Sequence, residues 1–170
     1  EADGAKVSDN AVGGCYKEVG FVYDIVLELS GLVDGANIFA GISHIESDFG
    51  NDQNQRAIGL TYAVGSVTLG YQYSKDELGR VGVDYYENHA YGISFNVNDD
   101  LSLSYGVHES DQSYGSADKT TTLETTSLQA AYSMGGMTLK AAMSDASNAS
   151  YSTAAKNDYE VNSIAIALAF

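Results

Sequence analysis

The side chains that could carry out catalysis are few and scattered along the chain. His44, His89 and His108 lie in three separate segments, and no arrangement of Ser, His and Asp typical of nucleophilic hydrolysis is legible around them. Cys15 is the single cysteine and has no histidine near it in the sequence, so nothing indicates an activated thiol. We therefore predict that the chain has no catalytic residues and is not an enzyme.

Oxygen ligands for a hard metal ion are concentrated in polar stretches. Residues 9–14, DNAVGG, and residues 47–54, SDFGNDQN, combine Asp and Asn with Gly, and these are residue types that suit calcium. Their spacing does not match the loop of an EF-hand. We predict no metal site and no cofactor, with calcium in these acidic loops as the alternative.

The charge and composition exclude several classes of protein. The 170 residues carry a net charge of -15 with only 8 basic residues, whereas nucleic-acid-binding proteins need a basic surface. A chain with 44% hydrophobic residues and 13 Tyr is too apolar and aromatic to be disordered. It contains no run of about 18 apolar residues that could form a transmembrane helix.

An alternation of apolar and other residues recurs along the chain. In residues 161–170, VNSIAIALAF, every second residue from Ile164 onward is large and apolar, which is the period of a β-strand with one face in an apolar medium. Eight earlier segments have the same period: 21–30, 36–44, 56–64, 66–74, 90–97, 101–108, 125–134 and 137–144. The sequence therefore predicts an all-β fold of nine antiparallel strands, and no segment shows a helical period.

Short and long connections alternate between these segments. The short ones, which are rich in Gly, Asn and Asp and suit hairpin turns, lie at residues 31–35, 64–66, 98–100 and 135–136. The long polar ones lie at residues 46–55, 75–82, 109–121 and 144–157. This order predicts an up-and-down arrangement of hairpins with one short end and one elaborated end.

Two environments produce such strands. A soluble antiparallel sheet buries its apolar face against a second layer, whereas a transmembrane barrel turns that face to lipid and its polar or small residues to the interior. Here the second stripe is mostly Ser, Thr, Gly, Ala and Gln, with few of the Lys and Glu that a soluble sheet sets in water. The apolar stripe is rich in Tyr, which suits the membrane interface. The pattern favours a transmembrane β-barrel.

The final segment carries a specific motif. In SIAIALAF, apolar residues of one face lead to a terminal aromatic residue: Ile164, Ile166, Leu168 and Phe170. This motif resembles the C-terminal signature of Gram-negative outer-membrane β-barrel proteins. The resemblance implies that these four residues are read by the barrel-assembly machinery, although Asn162 stands where that family often has an aromatic residue.

Two hairpin units extend the resemblance. NDDLSLSYGVHES, residues 98–110, and LQAAYSMGGMTLKAAMSD, residues 128–145, are similar to the last strands of general porins of the α-proteobacterial type. The resemblance implies a location in the bacterial outer membrane, contact with its lipid and lipopolysaccharide, and assembly as a homotrimer.

The number of strands bears on the extent of the barrel. Intact bacterial barrels have an even number of strands, with short periplasmic turns and longer extracellular loops. Nine is odd, so we expect residues 1–170 to be the C-terminal part of a barrel of 16 strands, with residues 1–19 in an extracellular loop and residues 20–170 forming strands and loops. The alternative is a single complete domain in which residues 4–12 form a poor tenth strand.

The resemblance implies a passive diffusion channel for small hydrophilic solutes and ions. By the alternation, the interior is lined by Asp24, Glu28, Gln72, Asp84, Asn96, His108, Gln129 and Lys140. The acidic excess indicates a preference for cations, because clustered negative charge raises the local cation concentration. The alternatives are a small outer-membrane structural or adhesin-like barrel without an open pore, and a soluble secreted β-sandwich.

Overall fold

Nine strands make up almost all of the protein that the structure describes. The computed structural model describes residues 19–47, 51–78, 82–114, 119–154 and 157–168. They form one antiparallel sheet in which each strand pairs with its neighbours in the chain. The strands are β1 (Val19–Ser30), β2 (Ala36–Ser47), β3 (Gln53–Val64), β4 (Val67–Glu77), β5 (Tyr85–Asn96), β6 (Leu101–Tyr114), β7 (Lys119–Met134), β8 (Met137–Ser147) and β9 (Tyr159–Leu168). The predicted all-β, up-and-down fold of nine strands is confirmed.

The connection between β8 and β9 contains a short 3-10 turn, Ala149–Tyr151. Within the described residues, no helix has the length and apolar character needed to cross a membrane.

The register between strands sorts the side chains onto two faces. Directly opposed residues of an antiparallel ladder project to the same side of the sheet. Ile25 lies opposite Ile42, and Leu60 lies opposite Tyr71, on one side that we call the apolar face. The opposite side, which carries Asp24 and the residues in phase with it, we call the polar face. Apart from a register shift between Val19 and Val22 in β1, each strand keeps its two-residue period, so both faces run across all nine strands.

The apolar face is not covered by any described part of the protein. Ile164 is 78% exposed, Leu128 52% and Ile58 50%, and the only buried hydrophobic residue among the described ones is Ala146. A soluble sheet would bury such a face against a second layer, but the described residues form one layer only. The described residues therefore do not form a β-sandwich, and the apolar face stays open to its surroundings, as the outer face of a membrane barrel does.

The prediction was wrong about the extent of the polar loops. Residues 109–114 and 119–121, predicted as loop, belong to β6 and β7. The strands also continue into the other three predicted loops, at residues 46–55, 75–82 and 144–157. Toward these ends both faces of β6 and β7 carry polar residues, so no alternation of apolar and polar residues marks the strands while the backbone ladder continues.

The two outermost strands each have one free edge in the described sheet. β1 pairs with β2 and β9 pairs with β8, and no described pairing joins β1 to β9. Because the number of strands is odd, β1 and β9 run in the same direction. β1 begins at Val19, and residues 1–18, which contain Cys15 and the possible tenth strand, lie outside the described residues.

The turn between β1 and β2 packs against the end of β3. Gly35 has a φ of 77°, its carbonyl accepts a hydrogen bond of 2.8 Å from the backbone N–H of Ala63, and a Cβ atom on Gly35 would overlap the carbonyl oxygen of Ala63. Gly31 has a similar φ of 78°, but open space surrounds it. The two glycines thus share a backbone conformation and differ in their surroundings.

We predict that Gly35→Ala destabilises the folded sheet more than Gly31→Ala. Each substitution places a side chain at positive φ, which costs about 1–2 kcal/mol, and only Gly35→Ala adds an overlap with backbone. The temperature at which the purified full-length protein loses its compact, fast-migrating form on unheated electrophoresis should fall further for Gly35→Ala. Equal midpoint temperatures for the two variants would show that the contact with Ala63 does not add to the cost of a side chain at position 35.

Candidate pore wall

The polar face brings together nearly all of the side chains predicted to line an interior. Seven of the eight lie on strands, in phase with one another, and are exposed: Asp24, Glu28, Gln72, Asn96, His108, Gln129 and Lys140. Three of them fall in one cross-strand row, which runs from Glu28 through Phe39, Gly59, Gln72 and Ala90 to His108. The seven predicted residues come from six strands, and the register places all of them on one surface.

Asp84 is placed differently from the other seven residues. It lies in the connection between β4 and β5, just before Tyr85, and not in a strand. Its backbone N–H donates to the carbonyl of Ser113 at 2.8 Å, and its own carbonyl accepts from the N–H of Leu78 at 3.3 Å. Asp84 therefore belongs to the end of the sheet that carries the long connections, above the wall formed by the strands.

The polar face is the concave side of the sheet in β6 to β9. A concavity of about 440 Å³ opens there, and polar side chains that line it include Ser104, Gln129, Lys140 and Ser163. A second concavity of about 700 Å³, nearer the short turns, is lined on the same face by Asn96. Both lie where a curved sheet turns its inner surface, which is the geometry expected of the inside of a barrel wall.

A bulky aromatic residue interrupts the otherwise slight lining. The ring of Phe39 lies over Gly59 on the neighbouring strand, and a Cβ atom on Gly59 would overlap that ring. The alternation alone indicates the face of Phe39, since Ile38 and Ala40 fall on the other side. The close contact with Gly59 depends on the register between β2 and β3, and sequence reasoning missed it.

A buried polar cluster lies on the polar face at the end with the long connections. The hydroxyl of Ser110, only 2% exposed, donates to Oδ1 of Asn88 at 2.5 Å and lies 2.7 Å from the hydroxyl of Tyr151. The side-chain amide of Gln112 donates to the hydroxyl of Tyr86 at 2.6 Å. The rings of Tyr86 and Tyr151 are 5.2 Å apart. Sequence reasoning missed this cluster, because the alternation that assigns faces stops before residue 151.

A family model described as Gram-negative porin matches residues 3–168 of the chain. The chain belongs to the Gram-negative porin family. Among curated proteins, none matches the sequence significantly. Membership indicates an outer-membrane porin, which is a channel protein rather than an enzyme, and the nine strands fit part of a porin-type barrel. The narrower likeness to the α-proteobacterial type stays a prediction.

On the apolar face of the porin, aromatic and histidine side chains mark one border of the apolar band. The rings of Tyr23 and His44 stack with centroids 5.4 Å apart. The ring of His89 lies 5.2 Å from that of Tyr73, and its Nδ1 is 2.9 Å from the hydroxyl of Tyr71. Amphipathic rings of this kind suit the level where lipid headgroups meet water.

Charged residues follow this border toward the end with the long connections. Nζ of Lys75 lies 3.1 Å from a carboxylate oxygen of Glu77 and 4.0 Å from the ring centroid of Tyr85. On the same face, Glu109 lies opposite Glu124. This order of apolar band, aromatic border and charged rim is the one expected where a lipid-facing strand enters water.

The C-terminal signature of the porin lies mostly in β9. Ile164, Ile166 and Leu168 lie on the apolar face, opposite Ala141, Leu139 and Met137 respectively, while Phe170 lies outside the described residues. Their placement agrees with a lipid-facing strand. That the barrel-assembly machinery reads them stays a prediction.

Metal-ligating side chains are not clustered in the described part of the porin. No group of three or more His, Cys, Asp or Glu that could hold a metal ion occurs among the described residues. Of the two stretches considered for calcium, residues 9–14 and residues 48–50 of the second lie outside the described residues.

We predict that cysteines on the two faces of β6 react differently with a charged, membrane-impermeant thiol reagent. In a Cys15→Ser background, Ser104→Cys on the polar face should be modified in lipid bilayers. Leu103→Cys, on the apolar face of the same strand, should stay unmodified, because lipid excludes the charged reagent. Mass spectrometry of the intact protein measures the extent of modification.

Equal modification of both cysteines in bilayers would contradict a lipid-facing apolar face. The same two variants unfolded in urea serve as the control, since both cysteines should then react fully.

Proposed function

We propose that the protein is a passive diffusion channel for small hydrophilic solutes and ions in the bacterial outer membrane, with the polar face lining the pore. The observation that carries the proposal is the pairing of a face of polar side chains, concave in β6 to β9, with an exposed apolar face across the same nine strands. A water-filled barrel needs this arrangement, because lipid surrounds its outside and solute passes along its inside.

Selectivity in such a pore comes from its width and from the charges on its wall. Asp24 and Glu28 place carboxylates on the polar face of β1, and Asp76 adds one on β4. Lys140 places an amine on the same face of β8. Together with the net charge of -15, these groups support a preference for cations.

The free edges of the sheet support a larger barrel. β1 and β9 run in the same direction, so a ladder that is antiparallel throughout closes only through an odd number of further strands between them. The total is then even, as in bacterial single-chain barrels. Seven further strands would give 16, the porin class. Assembly as a homotrimer and contacts with lipopolysaccharide are further proposals that rest on the family.

We predict that the full-length protein forms open channels in a planar lipid bilayer and prefers potassium to chloride in a salt gradient. The double variant Asp24→Asn, Glu28→Gln should lower the ratio of cation to anion permeability roughly twofold or more. A unit charge about 10 Å from an ion in water contributes about 0.4 kcal/mol, which is roughly a factor of two in local ion concentration.

Glu87→Gln is the matched control, because Glu87 lies opposite Lys75 on the apolar face, away from the proposed pore. Its permeability ratio should stay unchanged. A folded protein that gives no conductance would favour the structural or adhesin-like barrel without an open pore. Equal ratios in the wild type and the double variant would show that these two carboxylates do not line the conducting path.

A further inference from the structure

The segment after β8 adopts an unusual backbone. We call residues 148–154 the mouth loop. Three of its residues other than glycine have positive φ: Asn148 at 54°, Ser150 at 59° and Tyr151 at 53°. Conformations of this kind cost free energy and persist only when the surrounding contacts determine them. The mouth loop must therefore be held in place by contacts that outweigh this cost.

The contacts at the start of the mouth loop tie it to β7 and to Asp158, which directly precedes β9. The side-chain amide of Asn148 donates to the backbone carbonyl of Thr122 on β7 at 2.9 Å. The backbone N–H of Asn148 donates to Oδ1 of Asp158 at 2.8 Å. These bonds fix where the loop leaves β8.

Tyr151 makes the contact that directs the mouth loop inward. Its hydroxyl meets Ser110, and its ring packs on Tyr86, both of which lie on the polar face. Five of the described residues are buried, and four of them lie at this end of the same face: Ser110, Gln112, Thr121 and Ala146. In a sheet that is otherwise exposed on both sides, the burial concentrates near the site where Tyr151 docks.

We propose that Tyr151 is a positioning residue that holds the mouth loop against the inner wall, and that the loop so held sets the largest solute the pore admits. This inference rests on the proposed channel function. The described part of the loop offers hydroxyl and amide groups and no charged side chain, so it narrows the mouth without adding to its charge.

The test uses Tyr151→Gly in the full-length protein. Glycine favours the positive φ at this position, so the substitution removes the anchor without adding backbone strain. Tyr151→Phe removes only the hydroxyl. Hydrogen–deuterium exchange of the backbone amides in residues 148–154 measures how firmly the loop is held. The swelling of proteoliposomes in neutral sugars of increasing size measures the largest solute that the pore admits.

We expect Tyr151→Phe to speed amide exchange in the mouth loop roughly fivefold, the weight of one net hydrogen bond, and Tyr151→Gly to speed it further. Both should raise swelling in the largest sugars relative to the smallest. Ser110→Ala should act like Tyr151→Phe, and the double variant should add little to either, because both changes break the same bond. Tyr105→Phe, on the same strand as Ser110 but on its apolar face and away from the loop, is the matched control and should change neither readout.

Two results would overturn the inference and leave the channel intact. One is unchanged exchange in Tyr151→Gly, and the other is faster exchange with the same preference among sugars. A wild-type protein that passes no sugar at all would instead remove the channel function, and with it the role given to the loop.

Discussion

The structure depends on one constraint, the pairing of backbone N–H and C=O groups between neighbouring strands. In lipid these groups have no other partner, so a segment that crosses must place all of them in the ladder. In the ladder each side chain can point only to one face of the sheet or to the other. Everything else described for the nine strands follows from this choice, including the absence of a hydrophobic core, since Ala146 is the only buried hydrophobic residue described. The apolar side chains that would form a core elsewhere face outward instead.

The same ladder has different consequences beyond the apolar band. There the strands continue, as β6 and β7 do toward Tyr114 and Lys119, but both faces carry mostly polar residues. Packing is then free to involve polar groups, and the best-buried side chain of the described residues is a serine, Ser110. Most of the buried side chains among the described residues thus lie at this end of the strands, where hydroxyl and amide groups hydrogen-bond to one another.

Much of this arrangement could be predicted from the sequence where the alternation is strong. Every strand was predicted, and so was the shared face of residues as distant as Glu28 and Lys140, because a period of two fixes a face without any knowledge of contacts. The ends of the strands were not predicted, since the alternation of apolar and polar residues disappears where both faces carry polar residues. The position of Tyr151 was not either, because a loop with positive φ follows no period. Contacts that join strands require the register, which one sequence does not reveal.

The contact between Phe39 and Gly59 has a consequence for how porins of this kind diverge. The ring occupies the space above the glycine, so the two positions, 20 residues apart in the sequence, share one volume. A lineage that gains a side chain at position 59 must first lose or move the ring at position 39. A lineage that loses the ring leaves bare backbone facing the interior. Substitutions at positions 39 and 59 should therefore be coupled, so that the effect of a change at one position depends on the residue at the other.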